Sequence, residues 1–148
     1  MAFLGATIRS LVAATAVAGL AGCATVAQES QPVKAVYHLT NGLDEAQRAM
    51  GNVRNHLNAD PKAKIVVVGN GNGIEFMLDG AKDRNGNPFD ATIQDLKAKG
   101  VEFRLCNNTL VTRKIDKSKV IPEVAIVESG VAEAARLQIR EGFAYLRP

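Results

Sequence analysis

The sequence predicts an α/β fold, a three-layer α/β/α sandwich around a mostly parallel five-stranded sheet, and three observations predict it. Five short runs rich in Val, Ile, Leu and aromatic residues recur along the chain, at residues 35–39, 64–69, 101–105, 124–127 and 143–146. Most are continuous apolar runs rather than strict alternations, the pattern of strands buried on both faces of a parallel sheet. Segments with helical spacing lie between them, and strands alternating with helices imply right-handed crossovers that place helices on both faces. A flavodoxin-like strand order is the expectation for such a sheet.

The chain starts with a short basic region ending at Arg9, followed by an apolar stretch over 11–21 built of Leu, Val, Ala and Gly. That stretch is too short to span a bilayer and has the pattern of a cleaved secretory signal over residues 1–22. Leu20-Ala21-Gly22-Cys23 then resembles the bacterial lipobox. The resemblance implies cleavage before Cys23 and a lipid on its thiol. Ala24 rather than Asp after that cysteine implies retention at the outer membrane, which makes the expected location periplasmic. The alternative is an ordinary signal cleaved after Ala27, which discards Cys23. Residues 23–34 read as a tether, polar from Gln28 with a single proline, and residues 35–148 as one α/β domain.

A chain of 148 residues suits a single hydrophobic core. Its formal net charge of +3 falls to +2 once Arg9 leaves with the leader. The bases are interleaved with acids, as in Lys82-Asp83-Arg84, so a nucleic-acid partner is not expected.

Along the domain, Ala46, Met50, Val53 and Leu57 fall on one face of a first helix, with Asn41 and Asp44 as candidate N-terminal caps. Ile93 and Leu96 mark a second helix that Gly100 ends. Ser129 is placed to cap another, which would carry Val131, Ala134, Ala135 and Leu137 toward the core. Residues 79–89, with Gly80, Asn85-Gly86 and Pro88, form a turn-rich surface excursion.

Ligands of an open parallel sheet gather where strands end and loops begin. Those loops hold His38 and Asn41 after the first strand, Gly69-Asn70-Gly71-Asn72-Gly73 after the second, Cys106-Asn107-Asn108-Thr109 after the third, and Ser129 after the fourth. The glycine loop lacks the Rossmann spacing and the Walker lysine, so a tight turn is expected there rather than a phosphate cradle. His38 and His56 have no cysteine or carboxylate cluster at metal-ligand spacing, and neither a metal nor a cofactor is expected. His56 falls on the polar face of the first helix, whereas His38 ends a buried strand. Cys106 stands where helix N-terminal amides, with Arg104 or Arg113, would lower a thiol pKa. A small buried residue closing the strand is the competing reading.

Together several segments resemble the DsrE/DsrF-like family, whose members include sulfur-relay proteins of sulfur oxidation and tRNA thiolation. They are Val36-Tyr37-His38-Leu39 with the following helix bearing Asn52 and Asn55, Ile65-Val66-Val67-Val68-Gly69, Gly100-Val101-Glu102-Phe103 leading to Cys106-Asn107-Asn108-Thr109-Leu110, Ile121-Pro122, and Ser129-Gly130-Val131-Ala132-Glu133 before Gly142-Phe143-Ala144-Tyr145. The likeness runs from about Lys34 to Pro148. It implies homotrimers or hexamers and a functional cysteine near the carboxyl edge, which on this sequence is Cys106. The leader sets the chain apart from the cytoplasmic relays.

Two functions fit these residues. The first is a thiol-based sulfur carrier or redox protein acting through Cys106, with His38, Asn41, Gly69, Asn107, Asn108, Thr109 and Ser129 as binding candidates and a thiol or sulfane-sulfur protein as partner. The second is a non-catalytic oligomeric module of the envelope that binds a small ligand or a protein. In both, the only membrane association is the lipid on Cys23.

Overall fold

The computed structural model describes residues 31–148. The expected leader, Cys23 and the tether as far as residue 30 lie outside the described residues. The elements are β1 (Lys34–Leu39), α1 (Leu43–Ala59), β2 (Lys64–Gly69), a 3-10 segment (Gly71–Met77), α2 (Phe89–Ala98), β3 (Glu102–Cys106), α3 (Asn107–Arg113), a 3-10 turn (Lys117–Lys119), β4 (Ala125–Val127), α4 (Gly130–Glu141) and β5 (Ala144–Leu146).

All five strands join one parallel sheet in the order β4-β3-β2-β1-β5. The α/β sandwich is thus as expected, but the strand order is not flavodoxin-like, in which β2 and β3 flank the first strand. Here β1 to β4 add successively in one direction and leave the outer side of β1 open. The chain returns through α4, and β5 closes that side with Ala35 opposite Ala144 and Tyr37 opposite Leu146.

Alternate residues of the central strands feed two cores of unequal size. Tyr37, Leu39, Ile65, Val67, Phe103 and Leu105 face the larger one, beneath α1, the first 3-10 segment and α2. Val36, Val66 and Val68 face the smaller one, covered by Leu137 of α4 and by Phe143. The stripe of α1 is buried as its spacing predicts, through Ala46, Ala49, Met50, Val53 and Leu57. Burial of each large member contributes about 1.5–3 kcal/mol. The expectation of strands buried on both faces fails for β4 and β5, which are short and occupy the sheet edges.

Three local expectations are corrected. The N-cap of α1 is Gly42, without a side-chain cap. Glu45 reaches back instead, accepting from the backbone amides of Thr40 and Asn41 at 2.7 Å each and from Asn41 Nδ2 at 3.1 Å. Asp44 is drawn away by an ion pair with Arg84. His56 is not simply surface, because its Nδ1 shares a 3.0 Å hydrogen bond with the hydroxyl of Tyr37. In α4, Gly130, Ala134 and Leu137 point inward at intervals of four and three, which turns Val131 and Ala135 out to solvent.

Gly100, at φ +90°, ends α2 as predicted. Ser129 caps α4, its Oγ accepting from the Ala132 amide at 3.4 Å.

Candidate functional site

The carboxyl ends of β2, β3 and β4 open onto a groove of about 500 Å³. Its walls are Asn70, Gly71 and Asn72 after β2, Cys106, Asn108, Thr109, Thr112 and Arg113 at β3 and α3, and Ser129 and Val131 at the start of α4.

Close backbone approach builds this end of the sheet. A Cβ at Gly73 would lie 2.1 Å from the carbonyl oxygen of Leu39, and one at Gly69 would lie 2.6 Å from that of Gly73. The glycines of this loop therefore let the 3-10 segment seat against β1. The loop is tied to α3 by the Gly71 amide, which donates to Thr109 Oγ1 at 3.0 Å. Arg113 adds a second tie, donating to Gly71 O at 3.4 Å and pairing with Glu75 at 3.1 Å.

Cys106 is both the last residue of β3 and the N-cap of α3. Its side chain is 4% exposed, at the floor of the groove. Burial pushes the thiol pKa up and is the largest single influence on it. The Gly130 amide, the hydroxyl and amide of Thr109 and the Asn108 amide together outweigh burial, so the pKa lies below the ordinary thiol value. The Thr109 hydroxyl is oriented for this, because its oxygen already accepts from Gly71 and its proton is free to turn to the sulfur.

The arginines expected to help are occupied elsewhere. Arg104 pairs with Glu102 and Glu133, and Arg113 with Glu75. Gly130 supplies what they do not. A Cβ there would lie 3.1 Å from Cys106 Cβ, so only glycine fits against the cysteine at this point without a shift.

Of the sequence candidates, Cys106, Asn108, Thr109 and Ser129 meet in the groove. His38 stands behind it, 7% exposed, with Nε2 2.7 Å from Asn70 Oδ1 and Nδ1 2.9 Å from the Tyr145 hydroxyl. Asn41 serves the start of α1 through Glu45, and Gly69 packs against Gly73; neither lines the groove. Asn107 does not line it either, and its Oδ1 is buried without a hydrogen-bond partner.

Sequence reasoning missed Asn70, Gly71, Asn72, Thr112 and Val131 as groove residues and the Gly130 amide as a hydrogen-bond donor to the thiol. The signal for Asn70 and Asn72 was their place in a carboxyl-edge loop. Gly130 stood in the loop after the fourth strand, but nothing local marked its amide for the sulfur. Among the described residues no group of three or more His, Cys, Asp or Glu is placed to hold a metal. No described helix is long and apolar enough to cross a membrane.

Comparison with known proteins supports the same architecture. A family model described as the DsrE/DsrF-like family matches residues 25–148. Among solved structures, a protein of unknown function, MTH1491 from Methanobacterium thermoautotrophicum, is similar at 27% identity and a TM-score of 0.69, over 78% of this chain and 99% of that one. The ychN protein from E. coli shares the fold at 18% identity and a TM-score of 0.62, over 80% of this chain and 99% of its own. No curated protein matches.

Proposed function

This chain belongs to the DsrE/DsrF-like family, and from that premise we propose that it is a sulfur carrier of the bacterial envelope, working through Cys106 and held at the outer membrane by a lipid on Cys23. One observation carries the chemistry: Cys106 ends β3 and begins α3 on an open groove with the Gly130 backbone against its Cβ, where the amides of Gly130, Thr109 and Asn108 and the Thr109 hydroxyl draw its thiol pKa down. Such donors stabilise the thiolate, which is the form that attacks sulfur.

In the first step the Cys106 thiolate attacks the outer sulfur of a persulfide donor, R–S–SH. A new S–S bond forms, the donor's S–S bond breaks, and its electron pair leaves with R–S⁻. In the second step an acceptor thiolate attacks the same outer sulfur and Cys106 leaves as thiolate. The two steps need no external oxidant or reductant. An acceptor must reach into the groove, so the partner is a protein or small molecule with a protruding thiol. We further propose that the carrier assembles as a trimer or hexamer.

Mass spectrometry after exposure to polysulfide tests the carrier. One sulfur atom should be added on the Cys106 peptide and removed by a thiol acceptor, and Cys106→Ser should take none. Export and anchoring are tested by a fatty-acid label in the native host, which should appear on the chain and be lost in Cys23→Ser.

The near-complete burial of Cys106 favours a second reading, a groove that binds a small ligand without covalent chemistry. Under that reading native Cys106 resists alkylation, and Cys106→Ser leaves ligand binding unchanged.

A further inference from the structure

We propose that the Nδ2 amide of Asn70 holds the outer sulfur of the Cys106 persulfide, and that His38 and Tyr145 are positioning residues that fix which end of that amide faces the groove. The inference rests on the sulfur-carrier reading of Cys106.

The three residues come from three different parts of the sheet and form one hydrogen-bonded chain. The Tyr145 hydroxyl on β5 lies 2.9 Å from His38 Nδ1, the two rings meeting edge to face with centroids 5.6 Å apart. His38 Nε2 lies 2.7 Å from Asn70 Oδ1. A carboxamide oxygen only accepts, so Nε2 carries the ring proton and donates it, and Nδ1 accepts from the tyrosine. In this tautomer a reversed Asn70 amide would set an N–H against an N–H; the reversed amide needs the other tautomer, with Nδ1–H donating to the tyrosine hydroxyl. The imidazole holds the amide with its oxygen turned toward the ring, as the 2.7 Å contact places it.

That orientation leaves Nδ2 as the unspent end. It has no hydrogen-bond partner among the described residues, and Asn70 lines the groove. Asn70 and Cys106 flank the same glycine, a Cβ at Gly130 lying 3.2 Å from Asn70 Cβ and 3.1 Å from Cys106 Cβ. The Asn70 and Cys106 side chains therefore leave the backbone as neighbours on either side of Gly130, and both line the groove.

Sulfur transfer moves negative charge, and this gives the amide a task that the donors around Cys106 do not perform. Before transfer the charge sits on Cys106 Sγ, against Gly130, Thr109 and Asn108. Once Cys106–S–SH has formed and lost its proton to solvent, the charge sits on the outer sulfur, about 2.05 Å further out along the new bond. A second donor further along the groove is what the product requires, and Asn70 Nδ2 supplies it.

The test compares polysulfide loading and the pH profile of iodoacetamide alkylation in the full chain and in Asn70→Ala, His38→Leu, His38→Gln and Tyr145→Phe. Loss of one hydrogen bond to a charged sulfur should slow loading by about tenfold in Asn70→Ala and His38→Leu. The alkylation midpoint should stay at the wild-type value, because the donors to Sγ are untouched. His38→Gln keeps an N–H for Asn70 and should recover most of the rate, and Tyr145→Phe should lose less than His38→Leu. Asn70→Ala keeps the inference testable if the buried His38 variants fail to fold.

Loading at the wild-type rate in Asn70→Ala overturns the inference while leaving the carrier intact. So does slower loading accompanied by an equal shift of the alkylation midpoint, which would mark a general disturbance of the thiolate. A wild-type chain that takes no sulfur at Cys106 removes the carrier reading and this one together.

Discussion

Gly130 stands directly against Cys106: a Cβ at position 130 would be 3.1 Å from the cysteine Cβ, and the glycine amide is the strongest of the donors that lower the thiol pKa. The start of α4 and the end of β3 are thereby joined at one point. The reactivity of a residue on one element depends on the side chain missing from another.

Gly130→Ala should separate them. The added methyl also meets Asn70 Cβ and Gly69 O at 3.2 Å each, so the start of α4 or these neighbours must give by a few tenths of an ångström. Overpacking of this kind costs about 1–3 kcal/mol. Alkylation of Cys106 at neutral pH should slow several-fold and its midpoint should rise, with far-UV circular dichroism unchanged.

The lowered thiol pKa makes a stability prediction with a definite sign. The folded-state value is the lower one, so between it and the unfolded-state value the folded chain binds fewer protons. Stability should rise with pH across that window, level off above the unfolded thiol value, and lose its increment as pH falls through the folded value. Cys106→Ser should abolish this rise in urea titrations, and Thr109→Val should shrink it.

Glu133 joins β3 to α4. It accepts from Arg136, which does most to hold its carboxyl below the usual range, and from Arg104. The side chains of Glu133 and Arg104 are only 12% and 17% exposed. Glu133→Gln should cost about 2 kcal/mol in urea unfolding, the scale of a hydrogen bond to a charged partner. Because the folded carboxyl pKa is the depressed one, its contribution is complete above the unfolded value and disappears as pH falls through the folded value.

Gly73 has no room for a side chain, since a Cβ would lie 2.1 Å from Leu39 O. Gly73→Ala should destabilise the chain by about 3 kcal/mol, the upper end of overpacking costs, seen as a lower urea midpoint. Gly51, with nothing within 4 Å of its Cβ position, is the control and should tolerate alanine.

The strands and the stripe of α1 were legible because burial of a central parallel sheet writes itself as apolar runs, and Val66, Val67 and Val68 are buried as their run predicts. The edge strands were legible as strands but not as edges, because β4 and β5 carry the same residue types without being covered. The strand order was hidden too, since which open side β5 takes depends on α4 crossing the sheet and leaves no local pattern. Cys106 and its polar neighbours could be placed at the carboxyl edge by topology alone. The donors from Gly130 and the amide of Asn70 could not, because they arise from elements that meet only in three dimensions. Asn107 was named for its sequence neighbourhood, yet one step along α3 turns it away from the groove that Asn108 and Thr109 line.

The most direct test of the central claim is the mass of the native protein after brief exposure to polysulfide, followed by localisation of any added sulfur. A gain of one sulfur atom on the Cys106 peptide, reversed by a thiol acceptor and absent in Cys106→Ser, is the predicted result. An unchanged mass, or the same gain in Cys106→Ser, would contradict the account.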